Sequence, residues 1–396
     1  MKKKQRIKEK EQYQTEYQCL EEVYGKQIDQ VVHCIEEMME MYRQSGETAV
    51  ALEAADEWKY RYLESRGILA EQYQCIAGIL QQIRTRICHS RDVTRQAEAD
   101  LSKVLRCNRL ILEKCMLLDG KNRRKEAILY LHSQDDICIP ASAIAGLMKE
   151  VTDTEWMVSG DSRSIVTKQT SLVHLEEQPR FFLEHGLARA VKNGESISGD
   201  SFSFQALPDG KWMLALCDGL GAGERANRES RQAVELLEHL LEAGFIPDTA
   251  LRMLHNTLLM QEQELRPVTM DLAVVDLHTG IGDFYKSGAV TSFVKHEKDT
   301  ELLQPEALPM GYLPMLQPAH HVCRLQDGDY VIMMTDGMLD AVDKEDKEQH
   351  WMELIRKMHA ANPKDMANKL LIYAMAAVDG EPTDDMTVLV SGVWKK

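Results

Sequence analysis

Four short segments in the last half of the chain put aspartates where carboxylates can act together. Ser198-Gly199-Asp200-Ser201 precedes the alternating Phe202-Ser203-Phe204. The apolar run Trp212–Cys217 ends at Asp218, and Gly219-Leu220-Gly221-Ala222-Gly223 follows. Tyr330–Thr335 repeats the design and ends at Asp336-Gly337. In the fourth segment the acids come first: Asp384-Asp385-Met386-Thr387 leads into Val388-Leu389-Val390. Any one of these is commonest as a surface turn, because Asp and Gly favour tight backbone bends. Four in one half-chain, three of them directly at a strand edge, point to a shared site. Oxygen ligands in that number suit Mg²⁺ or Mn²⁺, whereas zinc favours His or Cys. Two such cations about 3.5–4 Å apart orient a water, lower its pKa and offset phosphoryl charge, so phosphate-ester hydrolysis is the chemistry that fits best.

Strand, glycine-rich turn and helix also describe a nucleotide-binding loop. The spacing from Gly219 to Gly223 is GxGxG, and no Lys-Ser/Thr follows. Asp218 would repel a bare phosphate there, yet it attracts a cation that bridges to one. A nucleotide-binding regulator remains the rival that an ATP titration tests.

The elements that must hold these acids follow from pattern. Two apolar strands, each ending in Asp-Gly, bring Asp218 and Asp336 to one edge of a core. If the strand after Asp385 runs antiparallel to the one before Asp336, its start lies beside that strand's end, and the acids converge. A helix is expected from Arg225 to Ala243. Upstream, residues 1–106 contain no proline and are rich in helix formers. Leu20, Val23, Ile28, Val31, Val32, Ile35, Met38 and Met39 recur at three- and four-residue steps, which predicts an amphipathic helix. Further helices are expected over Ala49–Ser65 and Ile68–Arg106, the last broken near His89–Ser90, with Ser45-Gly46 and Arg66-Gly67 as breaks. The repeat is too irregular for a coiled coil; a dimerising or signalling region and a hairpin packed on its own chain are equally open. Residues 107–191 read as a small α+β regulatory unit: strands at Arg109–Leu117 and Ala127–His132, a helix at Pro140–Val151, then short strands. His132, His174 and His185 are not at ligand spacing. Residues 192–396 form the catalytic region.

The net charge of −16 argues against nucleic acid or an anionic membrane as partner. The nine cysteines include no CxxC pair, which fits free thiols in a reducing, cytoplasmic setting. No apolar run approaches the ~18 residues needed to span a bilayer. The basic start is followed by polar sequence, unlike a signal peptide, so membrane contact is expected only through a segment absent from this chain.

Taken in order, SGDSFSF, CDGLGAGERA, VTMDLAVVD, LPMG, IMMTDG and DDMTVLV resemble the PPM (PP2C-type) family of metal-dependent serine/threonine phosphatases, in its bacterial sporulation branch. The resemblance implies an α-β-β-α sandwich, two antiparallel sheets flanked by helices with metals at one end. It implies two Mn²⁺ or Mg²⁺ ions: Asp218 bridging both, the Gly219 carbonyl on one, Asp336 and Asp384 on the other. Asp200 would act on the metal opposite Asp336, directly or one step removed, and Asp271 would support the fold or the substrate channel. It implies in-line hydrolysis without a covalent phosphoenzyme. The expected substrate is a phosphorylated anti-sigma-factor antagonist whose dephosphorylation activates a sporulation sigma factor. A catalytically inactive phosphoprotein-binding regulator on the same fold is the alternative. The arginine that holds phosphate in eukaryotic members is missing; Lys192-Asn193-Gly194-Glu195 stands there, leaving Arg189, Lys192 and Arg225 as substitutes. The N-terminal helices are expected to form a homodimer and to control assembly of the metal site.

Overall fold

The computed structural model describes residues 28–35, 37, 72–73, 76–80, 90–92, 95–119, 124–135, 137–160, 162–219, 221–259, 267–304, 307–312, 318–342 and 345–396. The chain divides into two compact units, Leu80–Pro179 and a larger one made of Met1–Ile79 with Arg180–Lys396. The helices expected at Ala49–Ser65 and over most of Leu20–Met39 lie outside the described residues, although 28–35 are helical.

The smaller unit holds β1 (Ser90–Asp92), α1 (Arg95–Cys107), β2 (Leu110–Asp119), β3 (Lys125–Ser133), β4 (Ile139–Pro140), α2 (Ala141–Thr152), β5 (Trp156–Val158), β6 (Ile165–Val166) and β7 (Ser171–Glu177). Its main sheet is antiparallel in the order β1-β2-β3-β7-β5. Leu101 and Leu105 of α1 and Ile144 and Met148 of α2 bury against Leu129, Leu131, Val173 and Leu175 of the sheet. At the expected break near His89–Ser90 the chain forms a short strand, and helix resumes at Arg95. Ser90–Asp92 pair with Met116–Leu118, because the edge of β2 offers a ladder of backbone partners that a helix there would leave open.

In the larger unit come β8 (Phe181–Ala190), β9 (Asp200–Leu207), β10 (Lys211–Asp218), α3 (Glu224–Glu242), α4 (Pro247–Leu259), β11 (Met270–Asp276), β12 (Ile281–Ser287), β13 (Ser292–Lys295), β14 (Thr300–Leu303), β15 (Ala319–Arg324), β16 (Tyr330–Met334), α5 (Asp336–Asp340), α6 (Lys347–Lys357), α7 (Pro363–Ala377) and β17 (Met386–Lys395). Two five-stranded antiparallel sheets form, β15-β12-β11-β10-β9 and β14-β13-β16-β17-β8. They face each other through Leu214, Leu216, Ala273, Phe284, Val331, Met333 and Leu389. The outer face of the second sheet, including Ile332, Met334, Val388 and Val390, buries under Trp351, Met366 and Leu370 of α6 and α7. This explains why Val331–Met334 reads as an unbroken apolar run: alternate side chains enter different cores, and both cores are apolar. On the other side α3 packs on β9 and β10. The result is the expected α-β-β-α sandwich. Its start differs from the expected boundary at 192. β8 pairs along its length with β17, so Phe181–Ala190 is a strand of the sandwich, and the C-terminal stretch of this unit starts at Arg180.

Candidate metal centre

β9 and β10 are antiparallel neighbours, and their register sets Asp200 directly opposite Asp218. The end of β10 is tied down by a reciprocal pair: the Asp218 N–H donates to Thr269 Oγ1 at 3.0 Å, and the Thr269 N–H donates to the Asp218 carbonyl at 3.0 Å. Gly219 is needed because a Cβ would come within 2.4 Å of the Ala226 carbonyl oxygen, where α3 crosses the turn. Gly223, at φ 85°, then reverses the chain into α3 from the left-handed region that other residues disfavour.

The second pair of acids comes from the other sheet. β16 and β17 are antiparallel, with Met334 opposite Val388, so the end of one lies beside the start of the other. The Thr335 N–H donates to the Thr387 carbonyl at 3.0 Å, and the Thr387 N–H to Thr335 Oγ1 at 2.9 Å. Asp336 opens the short helix α5, where its carboxylate accepts the Gly337 N–H at 2.7 Å. A Cβ on Gly337 would sit 2.2 Å from the Asp385 carbonyl oxygen, so the Asp-Gly sequence lets the two segments touch.

The paired acids Asp384 and Asp385 have different surroundings. Asp385 is buried, and its carboxylate accepts the Lys192 N–H at 2.9 Å and the Gly199 N–H at 2.7 Å. It therefore fastens the turn before Asp200, on the first sheet, to the start of β17 on the second. The same turn is held from α3: Asn227 Nδ2 donates to the Ser198 carbonyl at 2.8 Å and Ser230 Oγ to the Gly199 carbonyl at 2.6 Å. Asp384 is more open, and Lys192 Nζ lies 3.6 Å from its Oδ1. Sequence reasoning passed over Asp385, Thr269, Asn227 and Ser230. Only the doubling of the acid before β17 hinted at the first of them.

Electrostatics gathers Asp200, Asp218, Asp336 and Asp384 into one cluster. Burial, then the charges of Asp200, Asp336 and Asp384, push the Asp218 carboxyl up to about 9. Burial, with the Asp385 charge adding to it, raises Asp200 to about 6. Asp336 is raised by burial and by Asp384 and Asp340. Both carboxylate oxygens of Asp200 are buried without a hydrogen-bond partner. Carboxylates that repel one another, two of their oxygens buried and unsatisfied, fit divalent cations as the missing counter-charge.

Asp271 lies elsewhere. It faces inward from β11 and takes hydrogen bonds from Lys286 Nζ at 2.6 Å and from Ser292 Oγ; both partners of this ion pair are fully buried. Its place is in the support of the fold. Of the basic substitutes, Arg189 lines a cavity of about 450 Å³ together with Ser198, Asp200, Asn227 and Arg231, Lys192 is beside Asp384, and Arg225 is engaged with Glu229 at 3.6 Å on the exposed face of α3.

Two antiparallel sheets, flanking helices and acids gathered at one end make a sandwich with the fold of PP2C phosphatase domains. The fold matches that of the PP2C phosphatase domain with a fragment of the regulatory domain of the cell fate determinant SpoIIE from Bacillus subtilis, at TM-score 0.63 and 23% identity, covering 87% of this chain and 100% of that one. Residues 208–394 match the family model described as Stage II sporulation protein E (SpoIIE). Stage II sporulation protein E of Priestia megaterium is 26% identical over 337 residues, 84% of this chain and 57% of that protein. Its counterpart from Bacillus subtilis strain 168 is 29% identical over 250 residues, 62% of this chain and 30% of that protein. The chain thus spans little more than half the length of the first relative and less than a third of the second. Among the described residues no helix is long and apolar enough to cross a membrane.

Proposed function

We propose that this chain is a metal-dependent protein phosphatase for phosphoserine or phosphothreonine, and that its substrate is a phosphorylated anti-sigma-factor antagonist. The observation that carries the reading is the meeting of Asp200 and Asp218 from one sheet with Asp336 and Asp384 from the other, where burial and mutual repulsion hold Asp218 far above the usual carboxylate range. Asp218, the Gly219 carbonyl, Asp336, Asp384 and Asp200 would hold two Mn²⁺ or Mg²⁺ ions. When bound, such ions supply an activated water and offset the charge of the phosphoryl group. The chain's own part is preorganisation. Asp218 stands on a strand end locked by Thr269, and Asp385 keeps the Ser198–Asp200 turn in register with β17. Lys192 and Arg189 would draw the phosphate toward this rim.

The N-terminal segment supports a regulatory role. Val31 and Cys34 are buried, and Glu37 accepts from His239 on α3 at 2.7 Å, the helix that begins just after the Gly219–Gly223 turn. A shift of that segment would move α3 and with it the turn beside Asp218, which is how gating and dimerisation would reach the site.

The test is release of phosphate from phosphoserine peptides and from the phosphorylated antagonist, with Mn²⁺ and with chelator, by the wild-type chain and Asp336→Asn. Metal-dependent release by wild type alone is expected, fastest on the antagonist. Turnover of peptides without preference for the antagonist would remove the substrate assignment only. Absence of metal-dependent turnover, with phosphoprotein binding retained, would replace the enzyme by the binding regulator.

A further inference from the structure

We propose a second metal site, for a zinc-like transition cation, made by His296, Glu301 and Cys323 at the opposite end of the sandwich from the acidic cluster. β13 pairs with β16 so that Lys295 faces Tyr330, at the start of the strand whose far end leads to Asp336. His296 directly follows β13, Glu301 lies on β14, and Cys323 lies on β15. β14 and β15 are the edge strands of the two different sheets. One cation here would clasp the sheets where no hydrogen-bonded ladder joins them.

The three side chains converge closely enough for one ion to reach all of them. One ligand atom from each residue lies within 4.8 Å of the others. His296 Nε2 is 3.9 Å and Cys323 Sγ 3.3 Å from Glu301 Oε2. Zinc bonds of about 2.0–2.3 Å put tetrahedral ligands about 3.3–3.7 Å apart, so small side-chain adjustments suffice. An independent feature shows which way the histidine is aimed. Asp329 is 3% exposed, and its Oδ2 lies 2.8 Å from His296 Nδ1 while also accepting the Gln326 N–H at 2.7 Å. A buried carboxylate on Nδ1 sets the tautomer and leaves the Nε2 lone pair pointing at Glu301 and Cys323, the arrangement that accompanies histidine ligands in zinc proteins.

The chemistry selects the metal class. One imidazole, one carboxylate and one thiolate suit Zn²⁺ or Co²⁺, and they disfavour the Mg²⁺ or Mn²⁺ of the oxygen-ligand site. On binding, Cys323 gives up its thiol proton to solvent, and the hydrogen bond it donates to Glu301 is replaced by two bonds to the cation. A dication with one thiolate, one carboxylate and a neutral imidazole is formally uncharged, which suits a half-buried position. Glu301 is half exposed, so the fourth position opens to water.

The full chain, stripped of metal and then held in excess Mg²⁺ to fill oxygen-ligand sites, is titrated with Co²⁺. One equivalent should produce the visible bands of tetrahedral cobalt and a near-ultraviolet thiolate-to-cobalt band, and Zn²⁺ should bleach both. Cys323→Ser should lose the thiolate band, and Asp329→Asn should weaken binding by about 10–100-fold with the band kept. Circular dichroism establishes that each variant is folded, and Mn²⁺-dependent activity of Cys323→Ser should be unchanged. No thiolate band in the folded wild-type chain, or an equal band in folded Cys323→Ser, overturns the proposal.

Discussion

Replacing Asp218 by asparagine should stabilise the metal-free protein. In the folded chain without metal, burial and the charges of Asp200, Asp336 and Asp384 hold the Asp218 carboxyl at about 9, against 3.8 for an ordinary aspartate. The folded state therefore keeps a proton that the unfolded chain releases above pH 4. Stability contributed by that proton is complete below about pH 4 and is lost as pH rises toward 9, by up to about 1.4 kcal/mol per pH unit. At pH 7 the accumulated cost is at most about 4 kcal/mol, and about 2–4 kcal/mol once the repulsion shared with Asp200 is divided between them. Asparagine has almost the same shape and no such cost. For a unit of this size that is a rise in Tm of roughly 5–15 °C. Thermal melts of chelator-treated wild type and Asp218→Asn at pH 5, 7 and 8 measure it. The gain should be largest at pH 8 and small at pH 5. Added Mn²⁺ should raise the wild-type Tm and leave the variant unmoved. A variant no more stable than wild type at pH 8, or a gain that does not shrink at pH 5, would refute the reasoning.

Asp385→Asn should lose at least one carboxylate-to-backbone bond at Lys192 or Gly199, destabilise by about 2 kcal/mol, and weaken Mn²⁺ binding by about 10–100-fold in a calorimetric titration. Lys286→Met leaves the buried Asp271 carboxylate unpaired and should cost about 3–5 kcal/mol in denaturant unfolding, most of it recovered in Lys286→Met/Asp271→Asn. Glu37→Ala removes a partly exposed pair with His239 and should change stability by less than about 1 kcal/mol. Basal turnover or oligomeric state, read by phosphate release and light scattering, should nevertheless change; if neither moves, the N-terminal segment does not gate the site.

The strands that lead to Asp218 and Asp336 were legible because each apolar run stops at an aspartate beside a glycine, and burial on both faces makes such runs continuous. Convergence of Asp336 with Asp384 needed only the antiparallel pairing of two neighbouring strands, which β16 and β17 adopt. The distinction between Asp384 and Asp385 was not legible. Adjacent residues of a chain carry the same chemistry, and only the positions of the Lys192 and Gly199 N–H groups, nearly two hundred residues away, separate a rim carboxylate from a buried tether. The membership of Phe181–Ala190 in the sandwich was hidden for a similar reason, since its partner is the last strand of the chain.

By itself, then, the sequence determined which carboxylates could act together and which strands end in acids, because these depend on residue type and local pattern. Tertiary structure alone decided which carboxylates repel one another, which of them serves as a tether, and which distant side chains meet, as Asp271 meets Lys286 and His296 meets Cys323 across the edges of the two sheets. Those outcomes depend on strand order and register between segments far apart in the chain, and on burial, which turns proximity into the raised pKa values of Asp200 and Asp218.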